Sequence, residues 1–153
     1  MSNVEKPFVL LIDDNEETCA LITAVLRRDF AVEVAADGHD AIERLRTKRY
    51  DVIMLDLRMP QPDGFAVLEF LQQHDKRRLR SVLVVTAALT APEIARARAY
   101  DICGVIGKPF DVDALLDAVK QCAASSGDGR PIGNVLSTGV ILFLADLIRA
   151  RLM

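Results

Sequence analysis

The sequence predicts an α/β protein in which helices cover both faces of a five-stranded parallel sheet. Short apolar runs of strand length occur five times, and segments with apolar residues at helical spacing separate them. Because neighbouring parallel strands need helical crossovers of one preferred hand, this alternation favours a doubly wound sheet. Four of the five runs end at, or just before, a polar or charged residue, which predicts a functional edge where the strands end.

The bulk composition is that of an ordinary globular protein. With 153 residues the chain is long enough for one domain and a short extension, and 51% hydrophobic with 27% charged residues is a globular balance. The net charge of -3 does not favour binding to nucleic acid or to an anionic membrane surface. The amino end lacks the apolar core of a signal peptide, so we expect a cytoplasmic protein.

The three cysteines are Cys19, Cys103 and Cys122. Their odd number, their wide spacing and the absence of any C-x-x-C pair argue against a disulfide framework and against a zinc site. We therefore predict that all three are small, reduced core residues.

Three strands and two helices are predicted in the first half of the chain. Asn15 is a good helix cap, and apolar residues at helical spacing extend this helix to about residue 30. Asp37 and Gly38 form a turn before a second helix, which has its apolar positions between residues 41 and 45. The strands are the apolar runs Phe8–Ile12 and Val52–Leu55 and, between them, residues 31–36, which alternate enough for a strand. The run Val52–Leu55 is apolar at every position, which is typical of a strand buried on both faces.

The second half adds three helices and two strands. A helix with apolar residues over 65–71 is followed by the basic segment 76–80. Pro92 suits the first turn of a helix that runs to about residue 100, and Asp111 caps the last helix. The strands are the apolar runs 81–86 and 103–106.

Acidic, hydroxyl and basic side chains follow four of the predicted strands. Asp13 and Asp14 follow the first strand, Asp56 follows the third, Thr86 ends the fourth, and Lys108 follows the fifth. The carboxyl ends of parallel strands lie along one edge of a sheet, so we expect these groups to converge. Three carboxylates in one place favour a hard divalent cation such as Mg²⁺, whereas lysine and threonine are suited to phosphate.

Each of these residues also has an ordinary structural interpretation. An aspartate at the end of a strand is most often a turn former or a helix cap, a threonine can simply end a strand, and a lysine can be a surface charge. Because all of them fall at the same edge of the predicted sheet, we favour a functional site. Carboxylates that form aspartyl phosphates are an established class of covalent nucleophile, so phosphoryl chemistry fits this set.

The motifs around these residues resemble the receiver domain of two-component response regulators. They are the segments 11–15, 55–60, 63–65, 85–87 and 108–110. The resemblance covers residues 6–124 and implies a flavodoxin-like fold of five βα units with strand order 2-1-3-4-5. After it we expect a linker over residues 125–131 and an apolar, helical tail over residues 132–153.

The resemblance also implies a phosphoacceptor and a Mg²⁺ site. Asp56 would take a phosphoryl group from a phosphohistidine or a small phosphodonor, so the expected partner is a sensor histidine kinase or a phosphotransfer protein. Asp14, Asp56 and the backbone carbonyl of Arg58 would bind Mg²⁺ directly, and Asp13 would act mainly through water.

In the receiver family, two side chains bind the phosphoryl oxygens, and here they would be Lys108 and Thr86. The lysine pairs with the oxygens, the threonine moves to hydrogen-bond them, and a small residue such as Ala87 leaves the site accessible. The bond between Lys108 and Pro109 is usually cis in this family. Such a domain speeds transfer mainly by positioning and charge neutralisation, so we expect it to catalyse at most its own phosphorylation and dephosphorylation.

One position near the predicted site departs from the family pattern. Receivers usually have Tyr or Phe three residues before the lysine, where its rotation reports the movement of the threonine, but this chain has Val105. Tyr100 and Phe110 lie nearby in sequence and either substitute for that aromatic residue or simply pack. Two other positions tune dephosphorylation in the family, and here they are Arg58, two residues after the phosphoacceptor, and Ala88, two residues after the threonine. Ala88 has no polar group to orient a hydrolytic water, which predicts a longer-lived phosphoryl group.

The apolar tail leaves several roles open. Its charge-free span, residues 131–145, is shorter than a transmembrane helix needs, so self-association or packing on a receiver is preferred over a helix for a partner protein or insertion into a membrane. A homodimer can form through this tail or through the face of the fourth and fifth helices. No DNA-binding domain fits after residue 124, so we expect output through contacts with a downstream protein and no nucleic-acid partner.

Two other classes of function compete with a phosphorylated receiver. An unphosphorylated scaffold or oligomerisation module would keep the fold without the chemistry, and Val105 leaves this alternative open. A phosphohydrolase of the haloacid-dehalogenase type would need a second carboxylate two residues after its nucleophile. Arg58 stands at that place, so this class is disfavoured.

Overall fold

The predicted parallel sheet and its flavodoxin-like strand order are both confirmed. The computed structural model describes residues 5–87 and 90–126. Its strands are β1 (Phe8–Ile12), β2 (Ala31–Ala35), β3 (Val52–Leu55), β4 (Val82–Thr86) and β5 (Gly104–Gly107). They pair in parallel in the order β2-β1-β3-β4-β5. The strand order reverses between β1 and β3, which is where ligands bind in open α/β sheets.

A helix follows each strand, and a 3-10 helix (Lys76–Ser81) precedes β4. The α-helices are α1 (Glu16–Leu26), α2 (Gly38–Thr47), α3 (Gly64–His74), α4 (Ala91–Arg98) and α5 (Val112–Ser126). Helix α1 ends earlier than predicted, because the chain turns over residues 27–29 before it enters β2. Helix α5 continues into the segment predicted as a linker. Residues 127–131 of that segment and the predicted tail, 132–153, lie outside the described residues, as does Ala88.

Side-chain caps fix where the first four helices begin. Asn15, Asp37, Asp63 and Thr90 each accept a hydrogen bond from the backbone N–H three residues later. Such bonds satisfy donors that would otherwise be left without a partner at a helix start. Each cap lies in the loop that follows a strand, so these helices begin at the carboxyl edge of the sheet.

Alternate residues of each strand pack into two separate cores, one on each face of the sheet. Leu10, Ile53 and Val84 belong to the core under α2, α3 and α4. Val9, Met54 and Leu83 belong to the core under α1 and α5. Because successive strand residues point to opposite faces, a strand covered on both sides must be apolar at every position. This pattern identified the central strands in the sequence, whereas β2, at the edge of the sheet, was identified by its alternation.

The register of the central strands aligns the residues that follow them. Ile12 of β1 is level with Leu55 of β3, and the backbone N–H of Asp56 donates to the carbonyl of Ile12 at 2.9 Å. At the other side of β3, the N–H of Lys108 donates to the carbonyl of Thr86 at 3.0 Å. The polar groups predicted to converge therefore lie along one edge of the sheet.

The prediction of three reduced cysteines is wrong at two positions. Cys103, just before β5, and Cys122, on α5, form a disulfide, and both are buried. Their Cα atoms are 6.1 Å apart, a distance that a disulfide spans. Cys19 is free and buried. The two partners are separated by 19 positions and have no short-range motif, so only the packing of α5 against the sheet brings them together.

Gly64 allows α3 to start directly against the loop that carries Asp56. Its backbone N–H donates to the carbonyl of Leu57 at 3.2 Å. A Cβ atom at this position would lie 2.6 Å from Cα of Leu57 and even closer to the carbonyl oxygen of Asp56. A side chain here would push on the backbone of the acceptor loop itself.

We predict that Gly64→Ala lowers the free energy of unfolding by about 1 to 3 kcal/mol, because the added methyl group overlaps backbone that cannot give way cheaply. Urea denaturation followed by circular dichroism measures the change. Glu16→Ala is the matched control, since Glu16 is the first residue of α1 and is exposed. Equal stability of Gly64→Ala and the wild type would contradict the close approach.

The disulfide predicts how many thiols react. In denatured, non-reduced protein purified under oxidising conditions, alkylation should modify Cys19 alone, and all three cysteines should react only after reduction. Joint replacement of Cys103 and Cys122 by serine should cost about 3 kcal/mol of stability, the order expected for a loop of this length. Three reactive thiols in the non-reduced protein, counted by mass spectrometry, would refute the pairing.

Candidate functional site

Three carboxylates meet at the carboxyl edge of the sheet. Asp13 and Asp14 follow β1 and Asp56 follows β3, and one carboxylate oxygen of each lies within 4.8 Å of the others. Asp13 and Asp56 are buried, whereas Asp14 is exposed. This donor set suits a hard cation that binds a few carboxylates and keeps several waters. The residues present therefore fit a Mg²⁺ ion, as the sequence predicted.

Lys108 links two of the three carboxylates. Its Nζ lies 2.6 Å from Oδ2 of Asp13 and 3.2 Å from Oδ2 of Asp56, and its side chain is only 17% exposed. Burial by itself would lower the pKa of Lys108. The hydrogen bonds and negative charges of Asp13 and Asp56 outweigh burial, so the pKa of Lys108 is raised and the ammonium is retained.

Asp56 lies in a mixed environment. Burial raises the pKa of Asp56 above its ordinary value, and the charge of Lys108 and a backbone hydrogen bond from Arg58 only partly oppose it. That bond joins the N–H of Arg58 to Oδ1 of Asp56 at 3.1 Å. A bound cation would add a further charge that favours the ionised carboxylate.

Thr86 and Ala87 complete the edge beside Lys108. Thr86, the last residue of β4, is fully buried, and Ala87 is exposed. The peptide bond between Lys108 and Pro109 is cis, as predicted. The structure thus brings together the side chains of Asp13, Asp14, Asp56 and Lys108, and a backbone hydrogen bond joins Thr86 to Lys108.

Val105 is buried on β5 and packs in the core under α4. Tyr100 follows α4, and its hydroxyl donates to Oε2 of Glu69 at 2.9 Å. Phe110 packs against the core on the opposite face of the sheet. Of the two aromatic residues named as substitutes, only Tyr100 therefore lies on the α4 side.

A family comparison decides what kind of domain this is. The family model for the response regulator receiver domain matches residues 9–120. The chain belongs to this family. It is therefore a receiver domain of two-component systems.

Its relatives include both regulators and kinases. The receiver is 30% identical over 140 residues to the transcriptional regulatory protein ZraR of Salmonella typhimurium, an alignment that covers 87% of this chain and 31% of ZraR. It is 28% identical over 120 residues to the histidine-protein kinase BarA of Escherichia coli, covering 78% of this chain and 13% of BarA. The chain therefore spans about a third or less of the length of these relatives.

Solved receiver domains have the same fold. The receiver domain of the Francisella response regulator 1452 superposes with a TM-score of 0.71 at 25% identity, covering 79% of this chain and 99% of that one. A second solved structure is the receiver domain of the sensor histidine kinase PA1611 of Pseudomonas aeruginosa, with a magnesium ion coordinated in its active site cleft. It superposes with a TM-score of 0.70 at 25% identity, covering 78% of this chain and 99% of that one.

Sequence reasoning missed two residues of this receiver that lie beside the acidic cluster. Glu93 and Arg96, both on α4, line a cleft of about 500 Å³ together with Asp14, Arg58 and Phe65. Thr90 and Glu93 form a capping box, which the T-x-x-E spacing indicates at a helix start. That spacing predicts the cap, but it does not show that Glu93 also faces the acceptor loop.

A buried thiol lies directly beneath the cluster. Sγ of Cys19 donates to the carbonyl of Asp13 at 3.4 Å. Burial, with the nearby charge of Asp13, raises the pKa of Cys19 to about 11, so the thiol stays neutral.

Among the described helices, none is long and apolar enough to span a membrane.

Proposed function

We propose that Asp56 accepts a phosphoryl group, in a Mg²⁺-dependent reaction, from a phosphohistidine of a sensor histidine kinase or phosphotransfer protein, or from a small phosphodonor. The observation that supports this most directly is the position of the Asp56 carboxylate. It lies at the sheet edge, linked through Lys108 to Asp13 and next to the exposed Asp14.

The chemical step is a displacement at phosphorus. A carboxylate oxygen of Asp56 attacks, and a new O–P bond forms as the P–N bond of the phosphohistidine, or the P–O bond of an acyl phosphate, breaks. The electron pair of the broken bond goes to the leaving group. An imidazole takes up a proton from water, whereas a carboxylate leaves as the anion.

The residues around Asp56 position the incoming group and compensate its charge. Lys108 would bind phosphoryl oxygens with the ammonium that now faces Asp13 and Asp56. Thr86 would move to donate a hydrogen bond, and Ala87 would leave the entrance open. Bound Mg²⁺ would neutralise phosphoryl oxygens, held by Asp14, Asp56 and the carbonyl of Arg58, with Asp13 acting through water.

The setting of this reaction is also part of the proposal. We place the domain in the cytoplasm, with output through a downstream protein and with homodimer formation through the tail or the face of α4 and α5. In the cytoplasm, where thiols are kept reduced, the pair Cys103 and Cys122 would meet reducing conditions. The alkylation experiment above, done on protein isolated with rapid thiol blocking, reports its state there.

Incubation with acetyl phosphate and Mg²⁺ should give a phosphoryl adduct on the wild type and none on Asp56→Asn. Mass spectrometry of the intact protein detects the adduct as the mass of one added phosphoryl group. Asp63→Asn is the matched control, because Asp63 also lines the cleft and its amide can still cap α3. An adduct on Asp56→Asn equal to the wild type would place the acceptor elsewhere. The absence of an adduct on the wild type would favour the unphosphorylated scaffold.

Mg²⁺ alone should stabilise the folded domain, because only the folded state brings the three carboxylates together. We expect about 1.4 kcal/mol for each tenfold excess of Mg²⁺ over its dissociation constant. Thermal denaturation over a Mg²⁺ series measures this, and EDTA should reverse it. Asp14→Asn should lose most of the gain, whereas Glu16→Gln, an exposed acid outside the cluster, should keep it. If Mg²⁺ stabilised Asp14→Asn as much as Glu16→Gln, the three carboxylates would not be the Mg²⁺ site.

A further inference from the structure

A second cleft lies at the edge of the sheet opposite the acidic cluster. It has a volume of about 520 Å³, which is within the range of pockets that bind small molecules. Its lining residues come from the turn before β3 and from the 3-10 helix before β4. Strand β3 therefore separates this cleft from Asp56, which follows the same strand, and the acceptor chemistry uses none of its residues.

The cleft carries more positive than negative charge. Three arginines line it, Arg49, Arg77 and Arg78, against two carboxylates, Asp51 and Asp75. Oδ2 of Asp51 already accepts a hydrogen bond from the first backbone N–H of β1 at 2.7 Å. Oδ2 of Asp75 lies 3.8 Å from Nη1 of Arg49, whose side chain is 84% exposed, so this ion pair is weak. The two carboxylates thus leave much of the arginine charge uncompensated.

Arg78 is held in place at the wall of the cleft. Its Nη1 donates to the carbonyl of Leu45 at 2.6 Å, and its Nη2 donates to the carbonyl of Lys48 at 2.9 Å. Both carbonyls lie at the end of α2, where a helix leaves acceptors without a partner. These bonds fix the guanidinium but use only part of its set of N–H donors, and a neutral carbonyl does not neutralise its charge.

The charge of Arg78 has no direct counterion. Its side chain is half-buried, and no carboxylate in the described part of the chain lies within ion-pair distance of it. Burial and the like charge of Arg49 lower the pKa of Arg78, and the charge of Asp75 opposes them only in part. An anion in the cleft would oppose both effects.

A helix cap needs one arginine, but this cleft has three. Arg77 makes no ion pair and no side-chain hydrogen bond within the described residues, so its guanidinium is available to a ligand. Arg49 is held only by its weak pair with Asp75. The half-buried Ser81 adds a hydroxyl that can donate a hydrogen bond.

We propose that this cleft binds a diphosphate group, either as inorganic pyrophosphate or as part of a nucleoside diphosphate. A guanidinium binds phosphate oxygens in a bidentate manner, and three of them need more acceptor oxygens than a single phosphate group exposes. Arg78 is the fixed contact, and Arg49 and Arg77 bind from the exposed side. The site does not depend on the acceptor function, whose residues lie at the other edge of the sheet.

Isothermal titration calorimetry of the full chain with pyrophosphate tests the proposal, with EDTA present so that the acidic cluster holds no cation. The wild type should bind one pyrophosphate. Arg49→Gln and Arg77→Gln should each weaken binding by about five- to tenfold, because each removes a charge-assisted contact. The matched control is Arg28→Gln, an exposed arginine after α1 on the opposite face of the sheet, which should bind as the wild type does.

A variant that should gain affinity separates this cleft from general attraction between charges. Asp75→Asn removes a negative charge from the cleft and releases Arg49, and the Asp75 side chain does not cap the 3-10 helix. Binding should become about two- to fivefold tighter. Glu16→Gln changes the net charge equally at an exposed position near the other edge and should have no effect. An equal gain in both variants would overturn the proposal.

Titrations with ADP and with inorganic phosphate identify the ligand class. Tighter binding of ADP than of pyrophosphate would support a nucleoside diphosphate, and the reverse would support inorganic pyrophosphate. Inorganic phosphate should bind about tenfold more weakly than the better diphosphate, because it cannot contact all three guanidiniums. Phosphate that binds as tightly as both diphosphates, no binding of either diphosphate at millimolar concentration, or unchanged binding in Arg77→Gln would refute the site.

Discussion

The pairing of Lys108 with Asp13 and Asp56 is the interaction on which the rest of the site depends. Two buried carboxylates a few ångströms apart repel each other, and the ammonium of Lys108, which contacts both, offsets that repulsion. A buried ion pair of this kind is weak evidence for stability, because desolvation offsets much of the attraction. Its consequence is functional: Asp56 is held close to a cation while one side of the cluster, at Asp14, stays open to water.

Much of this arrangement could be predicted from sequence because it follows from periodicity. Uninterrupted apolar runs identify strands covered on both faces, and the polar residue after each run must then lie at the carboxyl edge. Periodicity alone could not assign different environments to Asp13 and Asp14, which are adjacent and chemically identical. In the fold, Asp13 is buried against Lys108 and Asp14 faces solvent, a difference set by which way the chain leaves β1.

The contacts that sequence reasoning missed join elements that are distant along the chain. Cys103 and Cys122, and likewise Arg58 and Glu93, are brought together by how a helix packs on the sheet. Neither pair has a spacing that signals contact. The start of α4 was predicted from Pro92, and neither Pro92 nor the T-x-x-E box around Glu93 shows the direction of the second oxygen of Glu93, which depends on the loop after β3. Local patterns therefore predicted the elements better than the contacts between their ends.

The two helices on either side of β5 are held very differently. Helix α5 buries Leu115, Ala118 and Val119 and is joined covalently to the chain before β5 through Cys122. Helix α4 buries two residues, and its contacts with the acceptor side include the exposed pair of Arg58 and Glu93. Segments with few buried apolar contacts move at the lowest cost in free energy. A displacement of α4 would therefore cost less free energy than a displacement of α5, and Val105 is packed in the core beneath α4.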